Sequence, residues 1–473
     1  MEGRRSWRDV SGYGIGVYFA VAVLSAVVFG GRMLEARWLI WGSVETLVFW
    51  MGLKGMSGAW MGLGEKAFVR KVFGVALGVR LAYVVLTYFL YIYWTGSPFE
   101  FEAGDAFFYD AFGAQIAESG LGSAFELAEM SGVAPSDMGR PLELALIYSV
   151  TGHYVIVPRL VQSFLSAWSC VLVYKLAKRN FGEVPGRYAA IVMVLLHNSV
   201  YYCGLQLKES DMVFWTLLFL ERSDAVLREG KLRFGNMVVP VVVGLWLFLF
   251  RTVLGAVAMM SFMGTMLLAK DASGKAMSWG KRIAVGGVML LAMVPVAMDR
   301  YGDELVAYWE ASGDNQSQGM EWRSERKGGN QFAKYGSTAL FAPAILLIPF
   351  PTLVEVVGQD NQMMRHGGYL EKHVLSFFVY VALFYLVFKY KTWRRHLLLL
   401  MFLFGYLAVV AMSNFAMSER FHFPALPIFV ILAGFGLSQV GKREWGIFPF
   451  YVAVMGVMVI GWCWFKLAGR GMV

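Results

Sequence analysis

Predominantly apolar runs, many about as long as a bilayer is thick, recur from one end of this 473-residue chain to the other. A helix needs about 20 predominantly apolar residues to cross the hydrocarbon core, and there it closes its own backbone hydrogen bonds where no water can. The runs are Tyr13–Gly30, Trp38–Leu53, Val72–Trp94, Tyr154–Ala177, Tyr188–Leu207, Met212–Leu220 with its flanks, Met237–Leu268, Ile283–Met298, Val374–Phe388, Leu397–Met412, Phe421–Leu437 and Ile447–Leu467. Charged residues make up 16% of the chain, against about 25% in a soluble domain. The fold class expected is therefore all-α: a polytopic helical membrane protein with about 11–13 transmembrane helices.

The formal charge of +9 is not a nucleic-acid signature in such a chain, because Lys and Arg gather in cytoplasmic loops. Arg4, Arg5 and Arg8 place the N-terminus inside, ahead of an uncleaved first span. The later inside blocks are Lys54–Lys71, Lys175–Arg187, Arg222–Arg233, Lys270–Arg282, Lys389–Arg395 and Lys442–Arg443. They alternate consistently only if Met237–Leu268 crosses twice, turning near Arg251. Ser337–Val357, with Pro343, Pro349 and Pro351, would leave both its ends outside, so it reads as a re-entrant or interfacial hairpin. Outer loops then cover 95–141, 299–336 and 358–372. The three cysteines, Cys170, Cys203 and Cys463, lack pairing or metal spacing and read as packed residues. Arg80 is close enough to the inner face to snorkel.

The first outer loop carries Glu100, Glu102, Asp105 and Asp110 interleaved with aromatic residues that include Tyr109. Asp110 reads as a residue near the N-cap of a surface helix over Ala111–Ser119. Asp105, just after Gly104, is either a turn residue or a carboxylate facing a cavity. Lys208-Glu209-Ser210-Asp211 is a charged tetrad between apolar helices, either a polar turn or part of a substrate path. Arg140 and Arg159 suit interfacial snorkelling. Arg140, Lys208, Arg251 and Arg420 are also cations that folding could gather on the outer side, where they would suit a lipid-linked phosphate. Tyr201, Tyr202 and Trp215 read as interface and packing aromatics. No P-loop, HExxH or dinucleotide fingerprint is present. The six histidines are scattered, which disfavours a histidine metal site. First-loop carboxylates could hold a divalent cation, Mg or Mn, although no complete ligand set is visible.

The order of Gly104-Asp105-Ala106-Phe107-Phe108-Tyr109, Gly139-Arg140-Pro141-Leu142, Pro158-Arg159-Leu160, Lys208-Glu209 and Glu419-Arg420-Phe421-His422-Phe423-Pro424 resembles the GT-C class of integral-membrane glycosyltransferases. The likeness is to the protein mannosyltransferase and aminoarabinose transferase group. It covers mainly Val72 to Gly436, and it departs where Pro141-Leu142 replaces two prolines and where the first loop lacks an Asp-Glu pair. The resemblance implies two additional N-terminal helices (1–71), a GT-C-like core (72–438) and a C-terminal helix (439–473).

It further implies transfer of a sugar from a polyprenyl-phosphate donor to a lipid, glycan or protein acceptor on the non-cytoplasmic face. Asp105 would be the base or acceptor-orienting group, and Arg140, Lys208, Glu209, Arg251 and Arg420 would bind substrate or lipid phosphate, with Asp211 and Tyr109 as further candidates for substrate binding beside them. The setting expected is a bacterial inner membrane, with membrane lipids as partners and no nucleic acid. A polysaccharide polymerase or ligase acting on lipid-linked glycans is one alternative; the basic residues Arg323, Arg326, Lys327 and Lys334 are compatible with it, although they read first as a solvated face. A transporter or non-catalytic assembly subunit is the other.

Overall fold

The computed structural model describes residues 5–229, 234–268, 314–325 and 329–472, together with Gly287. The expected span Ile283–Met298 apart from Gly287, residues 299–313 of the second loop, and Arg4, Lys231, Arg233, Lys270, Lys275, Lys281, Arg282, Arg326 and Lys327 lie outside the described residues.

Among the described residues every named element is a helix. Seven helical stretches are long and apolar enough to cross a membrane: Trp7–Arg32, Glu65–Thr95, Ile156–Phe181, His366–Lys389, Trp393–Met412, Glu419–Gln439 and Lys442–Ala468. Ala36–Trp60, Glu183–Leu195 and Glu209–Glu229 occupy three more of the apolar runs. The double run resolves into two shorter apolar helices, Phe234–Phe248 and Thr252–Leu268, with Arg251 at the turn between them. The chain is an all-helical integral membrane protein.

The proline-rich segment is not a span. Thr338–Ala344 makes two turns of helix, and an irregular stretch then runs past Pro349 and Pro351. It is tied to the chain after the first helix, where Leu34 N–H donates to Leu353 O at 3.3 Å and Glu355 N–H donates to Arg32 O at 3.0 Å. Pro has no N–H to offer a helix, so these backbone groups find partners in another segment.

Close helix approach depends on glycine. Leu426–Gln439 lies between Glu183–Leu195 and His366–Phe384. A Cβ on Gly434 would come 2.8 Å from Pro185 O, and one on Gly436 would come 1.8 Å from Phe378 O. Small residues at such contacts let backbones meet where lipid offers no hydrophobic drive.

Four sequence expectations change. The run Tyr188–Leu207 is not one helix: it stops at Leu195 and restarts at His197. Arg80 explains how the break is tolerated. Instead of snorkelling, it is 0% exposed. It donates to Met193 O at 3.1 Å, Val194 O at 3.0 Å, Ser166 Oγ at 2.7 Å and Ser199 Oγ at 2.9 Å. Helix-end carbonyls buried in a bundle need donors, and a guanidinium supplies several in one plane. Arg80→Leu is expected to cost about 2–3 kcal/mol, read as a lower unfolding temperature in detergent, whereas an unchanged temperature would contradict this role.

The third loop is also shorter than 358–372. Asp360–Met364 is already helical, and the long helix begins at His366. Gly367 and Gly368 admit it to the interior, for a Cβ there would meet Glu45 Oε2 at 2.8 Å and Asn198 Oδ1 at 2.6 Å. Lys372 is therefore buried, donating to Ile348 O at 2.7 Å. Finally, Arg159 does not snorkel; it is fully buried. The three cysteines are free and buried, as their surroundings in the sequence suggested.

Candidate active site

The site forms where Glu65–Thr95 ends and where the helices beginning at Gly104, Glu209, His366 and Glu419 start. Gly96 stops the first of these with a left-handed residue (φ 76°), a conformation glycine takes without steric cost. Thr95 Oγ1 then donates to Phe99 O at 2.9 Å, and the Phe99 ring packs 4.2 Å from that of Phe107. Glu102 is itself left-handed (φ 56°), a costly conformation for a residue with a side chain. These turns bring the chain sharply into the helix Gly104–Ser119.

That helix starts earlier than expected because Ala106, Tyr109, Phe112, Gly113 and Ile116 form a buried face at helical spacing. Asp110 is therefore not near an N-cap. It is buried within the helix, accepting from Tyr148 Oη at 2.5 Å and Gln206 Nε2 at 3.1 Å, with His153 Nε2 at 2.8 Å. Asp105 falls in the first turn, where a carboxylate favours the positive end of the helix dipole.

A cavity of about 180 Å³ opens here, lined by Glu100, Asp105, Tyr201, Tyr202, Arg365 and Arg420 among others. Ligand pockets usually span roughly 300–1,000 Å³, so this one suits a headgroup rather than a whole lipid-linked molecule. Arg420 is the hub of its mouth. Its Nη1 donates to Asp105 Oδ2 at 2.6 Å and its Nε to Glu209 Oε1 at 2.7 Å. The Asp105 side chain is 57% exposed and that of Glu209 is 0% exposed. One carboxylate thus faces water while the other anchors the guanidinium from inside.

A second guanidinium sits deeper. Arg365 pairs with the buried Glu419, and its Nη1 donates to Tyr202 Oη at 2.8 Å. The rings of Tyr201, Tyr202 and Tyr369 lie 5.0, 5.7 and 5.6 Å from its guanidinium carbon, within cation–π range. Asn361 accepts from Tyr201 Oη at 3.1 Å, donates to Phe101 O, and its own carbonyl accepts from Arg365 Nε at 2.9 Å. The loop after Thr95 and the segment before His366 are joined through this residue.

The other expected site residues fall into neighbouring clusters. Lys208 is buried, pairing with Asp137 and donating to Phe250 O at 2.7 Å, and the ring of Tyr109 lies 5.8 Å away. Burial pushes the Lys208 ammonium below its usual range, with Asp137 opposing the shift. Tyr109 Oη also donates to Asp137, at 3.3 Å. Arg140 is 1% exposed; it pairs with Asp211 at 3.2 Å and donates to Gln206 Oε1 at 2.9 Å. Asp211 also accepts from Gln162 Nε2 at 2.9 Å. Arg251 donates to Tyr406 Oη at 3.1 Å and stacks 4.0 Å from the ring of Phe421, the residue after Arg420.

Thus Asp105, Glu209 and Arg420 meet at the cavity. Lys208 and Tyr109 meet beside it, and Arg140 and Asp211 form a separate buried pair. Arg365, Glu419, Asn361 and Glu100 escaped sequence reasoning as site residues. Tyr201 and Tyr202, read there as interface and packing aromatics, are buried and also line the cavity. Among the described residues no three His, Cys, Asp or Glu side chains converge as a metal ligand set, and Asp105 and Glu209 are both turned to Arg420. Chemically, the arrangement offers an accessible carboxylate that can take a proton, held by a guanidinium that can follow developing negative charge.

No protein-family model matches the chain, and no curated protein does. Among solved structures it is similar to ArnT from Cupriavidus metallidurans, described as bound to undecaprenyl phosphate, at 14% identity and a TM-score of 0.48. That likeness covers 83% of this chain and 64% of ArnT. It is also similar to the archaeal oligosaccharyltransferase AglB from Archaeoglobus fulgidus, in complex with an inhibitory peptide and a dolichol-phosphate. Here identity is 11% and the TM-score 0.43, over 86% of this chain and 56% of AglB. The chain spans less than two thirds of the length of either protein.

Proposed function

We propose that this protein is a membrane glycosyltransferase that moves a sugar from a polyprenyl-phosphate donor to an acceptor hydroxyl. The observation that carries the reading is the Asp105–Arg420–Glu209 array at the mouth of a cavity whose deeper wall holds Arg365. The order of motifs along the chain supports the same class.

In this reading the acceptor hydroxyl enters beside Asp105, which takes its proton. The acceptor oxygen forms a bond to the anomeric carbon of the donor as the bond from that carbon to the phosphate oxygen breaks. The electron pair leaves with the phosphate. Asp105 loses its charge as it gains the proton, so Arg420 is freed from one carboxylate at the moment the phosphate gains charge. A single guanidinium couples the two events, and Glu209 keeps it in place. In this reading the membrane is a bacterial inner membrane, the N-terminus is cytoplasmic and the cavity opens on the outer face, an orientation that the basic flanks of the spans support.

The test is transfer by the purified full chain in proteoliposomes, given a panel of polyprenyl-phosphate sugars with lipid, glycan and peptide acceptors. Release of free polyprenyl phosphate with product formation is expected for one pairing. A folded protein that turns over none of the panel contradicts the proposal. Arg420→Lys keeps the charge but loses the fork that spans Asp105 and Glu209. It is expected to lower kcat/KM by about 10²-fold, and full activity in the same assay would remove Arg420 from the mechanism.

A further inference from the structure

One wall of the cavity holds a carboxyl that the mechanism above does not use. Glu100 lines the cavity, is 5% exposed, and has no hydrogen-bond partner on Oε2. Arg159, which does not line the cavity, is 0% exposed and has no partner on any of its three nitrogens. Its guanidinium carbon lies 5.5 Å from the ring of Phe99, the residue before Glu100.

Buried polar groups are normally hydrogen-bonded, and orphans at a cavity wall call for an explanation. Here a buried carboxyl with one open oxygen and a buried guanidinium with no hydrogen-bond partner, linked through Phe99, stand beside a cavity already read as a donor site. We propose that Glu100 recognises the transferred sugar, taking hydrogen bonds from its hydroxyl groups, and that Arg159 is a positioning residue that steadies this part of the loop by stacking on Phe99, the residue before Glu100. This inference rests on the reading of the cavity as the place where a lipid-linked sugar binds.

The chemistry fits a polyhydroxylated ring. A carboxylate accepts two neighbouring hydroxyl donors at once, and charge-assisted bonds of this kind are strong in a water-poor site. The rings of Tyr201 and Tyr202 line the same cavity and offer apolar faces to the C–H edges of a sugar. Glu100 and Asp105 also differ in surroundings as their separate tasks require. Asp105 is exposed and held by Arg420, whereas burial pushes the Glu100 carboxyl up from its ordinary value, opposed by Arg159 and Arg420. The left-handed backbone at Glu102 (φ 56°) lets a short loop present both acids to one cavity.

The experiment compares binding of bare undecaprenyl phosphate with binding of its hexose, pentose and amino-sugar monoesters. It uses the full chain in detergent, read by tryptophan quenching. The wild type is expected to bind at least one sugar monoester about tenfold more tightly than the bare lipid phosphate. Glu100→Gln should erase that preference and leave bare undecaprenyl phosphate binding unchanged. Arg159→Met should reduce the same preference, and combining the two changes should add nothing to Glu100→Gln alone. Equal wild-type affinity for bare and sugar-bearing lipid overturns the proposal, as does a Glu100→Gln chain that weakens both alike or neither. Failure of the wild type to bind undecaprenyl phosphate at all would instead contradict the proposed function.

Discussion

Asp105→Asn is expected to lower sugar transfer by about 10²–10⁴-fold, the range that a general base supplies, while the chain stays folded. The two halves of this expectation have different origins. Asparagine fills the same volume and can still accept from Arg420, but its amide cannot take a proton from an acceptor hydroxyl. Stability should hardly move, because the Asp105 side chain is 57% exposed and that of Arg420 26% exposed, and an ion pair so open to solvent contributes at most about 1 kcal/mol. Steady-state transfer and thermal unfolding of the same preparation check both halves. Full activity in the variant would remove Asp105 as the base; a collapsed fold would show that its pair with Arg420 is structural.

The largest stability effect is expected at Arg365. Its partner Glu419 is 4% exposed and also accepts from Tyr202 Oη at 3.2 Å. Arg365→Met would leave that carboxylate buried without its counter-charge, which costs about 3–5 kcal/mol when one member of a buried pair is removed. Replacing both, as Arg365→Met with Glu419→Gln, removes the stranded charge and should recover at least half of the loss. The readout is the unfolding temperature in detergent for both singles and the double. Transfer should stay low in the double, because the cavity has still lost its inner cation. A single variant as stable as the wild type would mean that the pair is not formed as described.

The sequence displayed the membrane-spanning elements well, for a reason that is local. Apolar length, basic flanks and prolines are properties of short segments, and they anticipated the turn at Arg251 and the interrupted stretch over Ser337–Val357. Where helices meet helices the signal is not local, and there the reading failed. Arg80 looked like a snorkelling residue because its partners, Ser166, Met193, Val194 and Ser199, are far along the chain. Lys372 looked like a loop residue because the value of Gly367 and Gly368 lies in how close they let Glu45 and Asn198 come.

The site was legible in part for the same reason. Asp105, Glu209 and Arg420 stood out as charges beside apolar runs, and they do meet. Arg140 stood out equally, yet Asp211 and Gln206 occupy it, a pairing visible only after folding. Arg365 was overlooked because its aromatic cage, Tyr201, Tyr202 and Tyr369, assembles from two distant segments. Of the signals present in the sequence, the tandem tyrosines and the Glu419-Arg420 pair were the ones that pointed there.

In the proposed mechanism a lipid phosphate is held in this cavity by Arg420 while Asp105 faces the acceptor. The measurement that tests it most directly is a structure of the full chain with undecaprenyl phosphate. Phosphate density is expected within hydrogen-bond distance of the Arg420 guanidinium, on the side of the cavity nearest Asp105. Phosphate density elsewhere on the molecule, with the Asp105–Arg420–Glu209 array unchanged and the cavity empty, would contradict it.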